Sequence, residues 1–268
     1  MIVGYQNNVL GYRAGLLQNR SVIKAGRYAV LEPDGLVRNV IPGFENCDIT
    51  ILGSPKLGAS FVDYLLTIYP EGGNLQGFGA PGEETLIYVI EGALSVGTGE
   101  QVHDLARGGF AYCPPGVKLF LHNRSGVPAR AFLYKRRYVP LEGTTPYIVV
   151  GDTEAMPWTE YEGMKDVLVK DFLPKDMAFD CNFHILCFKP GASHGYVETH
   201  VQEHGAYCLS GQGMYNLDNQ WFPVQKGDYI FMGAYCPQAC YAVGRDEDFA
   251  YVYSKDCNRD VALSDPSC

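Results

Sequence analysis

The chain has 268 residues, of which 47% are hydrophobic and 19% charged, with 31 Gly and 16 Pro, a balance typical of a folded, turn-rich protein. Its formal net charge of −9 disfavours nucleic acid and anionic membrane surfaces as partners, because both bind clustered Lys and Arg. The nine cysteines form no CxxC pair and indicate neither a disulfide framework nor a zinc ribbon, so we expect a cytoplasmic protein. The N-terminus has no basic region followed by an apolar core, and no segment has about 18 uninterrupted apolar residues, so we expect neither an export signal nor a transmembrane helix.

An internal repeat organises the chain. Residues 86–136 align with residues 205–255 at an offset of 119, which places "LIYVIEGALSV" over "GAYCLSGQGMY" and Gly108 over Gly227. Self-similarity of this length indicates two copies of one fold.

Each copy consists of short β-rich runs, such as "ARAFLYKRRYV" and "DYIFMGAY", separated by Gly, Pro, Asn and Asp turns. This pattern is typical of antiparallel sandwiches and barrels, and no long helical periodicity competes with it. We therefore predict an all-β chain of two tandem antiparallel barrels. Residues 1–150 would form an N-terminal arm and a metal-free barrel, and residues 151–268 a metal-binding barrel with the active site.

The stretch "GYVETHVQEHGAY", residues 195–207, is the candidate metal-binding segment. On a strand, side chains two apart share a face, so Glu198 and His200 would point the same way. On a helix, only His200 and His204 would be neighbours. The glycines in and around the stretch argue against a helix. The strand interpretation brings Glu198 and His200 together, and His204 could join them after a turn.

The spacing in this stretch resembles that of the cupin family. Glu198-x-His200-x3-His204-x6-Gly211 is similar to the first cupin motif, G-x5-H-x-H-x3-4-E-x6-G, with the His and Glu types exchanged. The second motif, G-x5-P-x-G-x2-H-x3-N, places Gln238 where the family has its third histidine. The resemblance implies a bicupin, with two jelly-roll barrels and a metal held by Glu198, His200, His204 and Gln238.

The N-terminal copy lacks such a ligand set. Its first-motif positions are Gly79, Pro81 and Thr85, and the ligand position of its second motif is Leu119. None of these four is a typical metal ligand, so we expect no metal in that barrel.

Ligand type indicates the metal. One carboxylate, two imidazoles and one amide oxygen, without a thiolate, suit Mn²⁺ or Fe²⁺ in an octahedral site better than structural zinc. Four protein ligands would leave two cis positions, and the residual positive charge after Glu198 favours an anionic chelating substrate.

Nearly the whole chain also resembles the (S)-ureidoglycine aminohydrolase family of bicupins. The matching segments are "GLVRNVIPGFENCD", "PKLGASFVDYL", "FLYKRRYVP", "GASHGYVETHVQEHGAYCLSGQGMYNLDN", "KGDYIFMGAY" and "YSKDCNRD". This resemblance implies Mn²⁺-dependent hydrolysis of (S)-ureidoglycine, a small anionic ureido substrate, in purine catabolism, by a homo-oligomer. It implies that Tyr215, Tyr251, Lys255 and Gln238 contact the substrate, and that Lys255, Tyr251 and Glu198 act in catalysis.

Two other functions remain open at this stage. Two histidines and a carboxylate resemble the facial triad of Fe²⁺ dioxygenases, and bicupins also include non-catalytic metabolite-binding proteins. The general base is likewise unassigned, because a tyrosine or Glu198 could carry the proton and Glu198 could equally be a ligand alone.

Overall fold

A computed structural model describes residues 21–261. Within these residues, no helix is long and apolar enough to cross a membrane. The one helical element in the described range is a short 3-10 turn at Pro33–Gly35, and the remaining regular structure is β-strand. The prediction of an all-β chain is confirmed.

Eleven of the strands precede residue 153. They are β1 Val22–Lys24, β2 Tyr28–Leu31, β3 Glu45–Ile51, β4 Phe61–Phe78, β5 Glu83–Glu91, β6 Ala93–Thr98, β7 Gln101–Ala106, β8 Gly109–Cys113, β9 Leu119–His122, β10 Ala129–Arg137 and β11 Val149–Asp152.

Nine further strands follow among the described residues. They are β12 Thr159–Tyr161, β13 Met164–Asp171, β14 Cys181–Phe188, β15 His204–Ser210, β16 Gln212–Leu217, β17 Gln220–Gln225, β18 Tyr229–Met232, β19 Gln238–Ala242 and β20 Phe249–Asp256.

The N-terminal barrel is one sheet in the order β11-β8-β5-β10-β4-β9-β6-β7, with β3 beside β4. The long strand β4 pairs first with β10 and then, from Gly73 onward, with β9. Gly73 permits this change of partner, because its φ is +152° and a Cβ there would lie 1.9 Å from the Leu121 carbonyl oxygen. Only glycine allows the two backbones to approach this closely.

The C-terminal barrel combines two sheets, in the orders β1-β2-β18-β15-β20-β14-β13-β12 and β17-β16-β19. Strands β1 and β2 come from the start of the chain, yet β2 pairs with β18 of this barrel. The N-terminal arm therefore extends the second barrel's sheet. The division of the chain into residues 1–150 and 151–268 stays a prediction.

Equivalent hydrogen bonds relate the two barrels. The Gly108 N–H donates to the Val89 carbonyl, and the Gly227 N–H donates to the Cys208 carbonyl, both at 2.9 Å. Both glycines have positive φ, +88° and +95°. The two donors are 119 residues apart in the sequence, and so are the two acceptors. The repeat seen in the sequence is therefore also a repeat of backbone structure.

Three apolar clusters hold the chain together. One fills the N-terminal barrel with mainly aliphatic side chains and includes Leu119, and another fills the C-terminal barrel. The third lies between the barrels and is rich in aromatic rings. In that third cluster Tyr134 meets Phe183 edge to face at 4.8 Å between ring centroids. Aromatic pairs of this kind bury large areas, and they join the barrels over a broad apolar interface.

A buried acidic pair lies within this interface. Ligand atoms of Glu84, Asp180 and Cys181 lie within 4.8 Å of one another. Glu84 Oε1 and Asp180 Oδ1 are buried without a hydrogen-bond partner among the described residues. The Tyr112 hydroxyl donates to Glu84 Oε2 at 2.6 Å. Burial, and after it the Asp180 carboxyl, raises the pKa of Glu84 to about 8. Burial also raises the pKa of the Cys181 thiol far above its usual value, so the Glu84 carboxyl and this thiol both keep their protons near neutral pH.

This pair predicts a pH-dependent stability. The folded state keeps a Glu84 proton that the unfolded state releases above a pKa of about 4.3. Stability should therefore fall, by up to about 1.4 kcal/mol per pH unit, as pH rises toward the folded pKa of about 8.

A neutral Glu84→Gln side chain can donate to Asp180 at any pH. We expect the melting temperature of this variant to exceed that of the wild type by several degrees at pH 9 and by much less at pH 6. Calorimetry at both pH values measures this, with the exposed Glu91→Gln as control. An equal difference at both pH values would contradict the raised pKa of Glu84.

Candidate metal centre

The four predicted ligands come from two neighbouring segments of the C-terminal barrel. His204 begins β15 and Gln238 begins β19. Glu198 forms an isolated bridge with Gln238, in which each backbone N–H donates to the other's carbonyl at 2.9 Å. His200 lies in the irregular segment between, and its carbonyl accepts the Tyr235 N–H at 2.7 Å. The predicted strand through Glu198 and His200 is thus reduced to one bridge, because residues 199–203 leave the sheet.

The two histidines face each other with their Nε2 atoms. These atoms are 3.2 Å apart. His200 Nδ1 lies 3.1 Å from the Gln202 carbonyl, and His204 Nδ1 lies 3.0 Å from the Ser254 carbonyl. A carbonyl only accepts, so in the neutral rings the proton is on Nδ1 and the lone pair is on Nε2. Two lone pairs therefore point at each other, an arrangement that a cation between them would stabilise.

Gln238 completes this convergence. Its amide Nε2 donates to the lone pair of His200 Nε2 at 2.7 Å, and its Oε1 is buried without a hydrogen-bond partner among residues 21–261. A half-turn of the amide exchanges these two atoms and would bring the oxygen to the histidines. A buried amide oxygen without a partner is costly, and amide oxygen is a suitable ligand for a hard cation. The residues present thus fit a divalent metal ion.

Burial sets the protonation of these groups. Desolvation, reinforced by the neighbouring His200 and by Lys255, lowers the pKa of His204 well below its usual value. Desolvation and then Lys255 lower the pKa of His200 as well. Burial raises the pKa of Glu198, while the Lys255 charge opposes that shift. Both imidazoles are consequently neutral near pH 7, which is the form that binds metals.

A small cavity adjoins His204. Three of the predicted ligands line it, Glu198, His204 and Gln238. All four predicted substrate contacts also line it, because Gln238 belongs to both sets and is joined by Tyr215, Tyr251 and Lys255. The two tyrosines are buried, with their hydroxyl oxygens 3.2 Å apart. Residues brought from β15, β16, β19 and β20 thus surround one space.

Four further residues line the cavity that were not predicted from the sequence as site residues, namely Tyr161, Leu186, Met232 and Tyr253. Tyr253 lies between Tyr251 and Lys255 at the period of two that places all three on one face of β20, so strand parity could have identified it. Tyr161 belongs to the segment between the two repeats, and its sequence carries no signal of this position. Burial, followed by the charge of Glu198, raises the pKa of Tyr161 far above its usual value.

The corresponding position of the N-terminal barrel is apolar. Leu119 is fully buried there, in the same cluster as Val96 and Leu121. The two barrels therefore have the same fold and chemically different interiors.

Comparison with known proteins places this arrangement in a family. A cupin-domain family model matches residues 184–252. The chain is 60% identical over 261 residues to "(S)-ureidoglycine aminohydrolase" of Escherichia coli K12, covering 97% of this chain and all of that protein. It is 34% identical to the Arabidopsis thaliana protein of the same name, covering 90% of this chain and 78% of that one.

The chain belongs to the (S)-ureidoglycine aminohydrolase family. The family resemblance inferred from the sequence segments is confirmed, as is the prediction that the chain is an enzyme. The crystal structure of protein Ylba from E. coli superposes with a TM-score of 0.85 at 57% identity, covering 94% of this chain and 100% of that one. The bicupin fold is thereby confirmed for this member of the family.

Proposed function

We propose that this family member hydrolyses (S)-ureidoglycine to (S)-ureidoglycolate and ammonia in purine catabolism, with Mn²⁺ as its cofactor. The names of its curated relatives support the reaction. The observation that carries the proposal is the convergence of the His200 and His204 Nε2 atoms and the Gln238 amide beside a cavity.

Glu198, His200, His204 and Gln238 would hold the metal. Their donor atoms are one carboxylate oxygen, two imidazole nitrogens and one amide oxygen, a set without thiolate that suits Mn²⁺ or Fe²⁺, and the family resemblance favours Mn²⁺. When bound, the ion would supply positive charge that binds and polarises an anionic substrate. The backbone bridge between Glu198 and Gln238 fixes these two ligands relative to each other.

Lys255 is the proposed partner of the substrate carboxylate. It lines the cavity together with Glu198, and the Lys255 charge acts on the pKa of Glu198 and of both histidines. Lys255 is half-buried, and an ammonium removed from part of its water is stabilised by an anionic partner. A substrate carboxylate held by Lys255 would have its reacting carbon fixed against the opposite wall.

Tyr251 and Tyr215 would orient the amino and ureido groups. Because one hydroxyl of this pair donates to the other across 3.2 Å, one hydroxyl hydrogen remains for the substrate. Hydrolysis requires one proton on the departing amine and the loss of one proton from the attacking water. Tyr251 and Glu198, both on the cavity wall, are the proposed groups that carry these protons, and Gln238 would contact the substrate as well as the metal.

An assay with freshly generated substrate tests the reaction. Purified protein loaded with Mn²⁺ is mixed with allantoate and its amidohydrolase, and formation of (S)-ureidoglycolate is followed. We expect acceleration over spontaneous ammonia release and a single enantiomer. A rate equal to that of the spontaneous reaction would overturn the proposal. Oxygen consumption would instead support a dioxygenase, and tight binding without turnover a metabolite-binding protein.

We further propose that the enzyme is a cytoplasmic homo-oligomer. All eight cysteines within the described residues are free thiols, which fits a reducing compartment. In the described part of the chain, β7 and β12 end their sheets, and open sheet edges favour association. Light scattering coupled to gel filtration should give a mass that is a multiple of 29.6 kDa, and a monomer mass would contradict assembly.

A further inference from the structure

Residues 201–203, between the two predicted histidine ligands, are held by hydrogen bonds to residues far away in the sequence. The Glu203 backbone N–H donates to Asp256 Oδ1 at 2.7 Å. Glu203 Oε2 accepts the Ser60 backbone N–H at 2.8 Å. Ser60 directly precedes β4 of the N-terminal barrel, so one residue ties the histidine segment to the other barrel.

The same part of the N-terminal barrel lies against the backbone on the other side of His204. A Cβ on Gly205 would lie 1.9 Å from Asp63 Oδ2 and 2.8 Å from Phe61 Cε2. Asp63 Oδ2 is itself fixed, since it accepts the Tyr229 hydroxyl at 2.6 Å. Glycine at 205 therefore leaves room for the Asp63 and Phe61 side chains of β4 against the backbone next to His204.

Asp256 is also connected to the N-terminal barrel. Its Oδ2 lies 3.9 Å from Arg136 Nη2, and Arg136 Nη1 donates to the Asp180 carbonyl at 3.2 Å. Arg136 is on β10, which pairs with β4 along its first half. One hydrogen bond of Glu203 therefore leads to the residue before β4, and the other leads through Asp256 and Arg136 to β10, the neighbour of β4 in the N-terminal barrel.

From these contacts we infer that Glu203 is a positioning residue for the metal centre, and that the N-terminal barrel sets the geometry of the His200–His204 pair through it. The inference rests on the proposed function. Glu203 itself would bind neither metal nor substrate. Its carboxylate would hold residues 201–203 in one conformation, which keeps the Nε2 atoms of His200 and His204 close together. Partners that orient metal ligands typically contribute about 10–100-fold to metal affinity.

Two substitutions separate the hydrogen bond from the charge. Glu203→Ala removes the acceptor for the Ser60 N–H, whereas Glu203→Gln keeps an oxygen acceptor and removes the charge. Metal-free wild type and both variants are titrated with Mn²⁺, and free Mn²⁺ is measured by electron paramagnetic resonance. We expect Glu203→Ala to raise the Kd for Mn²⁺ at least about tenfold, and Glu203→Gln to restore most of the loss.

The exposed Glu247→Ala, which removes the same charge away from the segment, serves as control and should leave the Kd unchanged. Circular dichroism confirms that each variant is folded. A Glu203→Ala Kd equal to that of the wild type would overturn the inference, as would equal losses in the Ala and Gln variants. Failure of the wild type to bind Mn²⁺ would instead refute the proposed metal centre, so the two failures are distinguishable.

Discussion

Replacing His200 with alanine should remove the metal and with it the activity. The variant would leave His204 and Gln238 without the nitrogen that both contact, and a site that loses one of four ligands binds its ion far more weakly. We expect Mn²⁺ content after dialysis to fall from about one per chain to near zero, and kcat/KM to fall at least about 10³-fold, since the ion would supply several kcal/mol of charge stabilisation. Elemental analysis and steady-state kinetics measure the two effects.

His122→Ala provides the matched control, because it removes a histidine from the N-terminal barrel. Its imidazole lies 3.4 Å from Glu71, whose side chain is largely exposed. This variant should keep full metal content and activity. Retention of Mn²⁺ by His200→Ala, or its loss from His122→Ala, would contradict the assignment of the metal to the C-terminal barrel.

Lys255→Met should have the second largest effect. Methionine has a similar length but no charge, so the substrate carboxylate would enter the cavity without its partner. Losing one member of a buried charge pair typically costs about 2–5 kcal/mol, and we expect kcat/KM to fall about 10²–10³-fold, with a marked rise in KM. Metal content should stay unchanged, because Lys255 is not a ligand. Kinetics and elemental analysis on the same preparation test both statements.

Lys175→Met removes an exposed lysine whose partner is Asp171 four residues earlier, and it should leave both kinetic constants unchanged. If Lys255→Met lowered kcat with KM unchanged, Lys255 would act in the chemical step and not in binding. If neither constant changed, the assignment of Lys255 to the site would be wrong.

The sequence by itself determined the features that depend on local spacing. Side chains two apart on a strand share a face, so the spacing of Tyr251 and Lys255 is sufficient to place both on one wall. The repeat at an offset of 119 paired glycines that make the same hydrogen bond in each barrel. The same offset aligned Leu119 with Gln238, and the residue types alone show that these two side chains differ in chemistry.

Only the tertiary structure decided the contacts between segments far apart in sequence. Tyr161 reaches the cavity from a segment without any local signal. Glu84 meets Asp180 across the interface between the barrels. Glu203 occupies no ligand position of the cupin motif, yet its side chain accepts a hydrogen bond from Ser60, 143 residues earlier. Strand periodicity fixes which side of one element a side chain occupies, but packing of the two barrels determines what lies opposite.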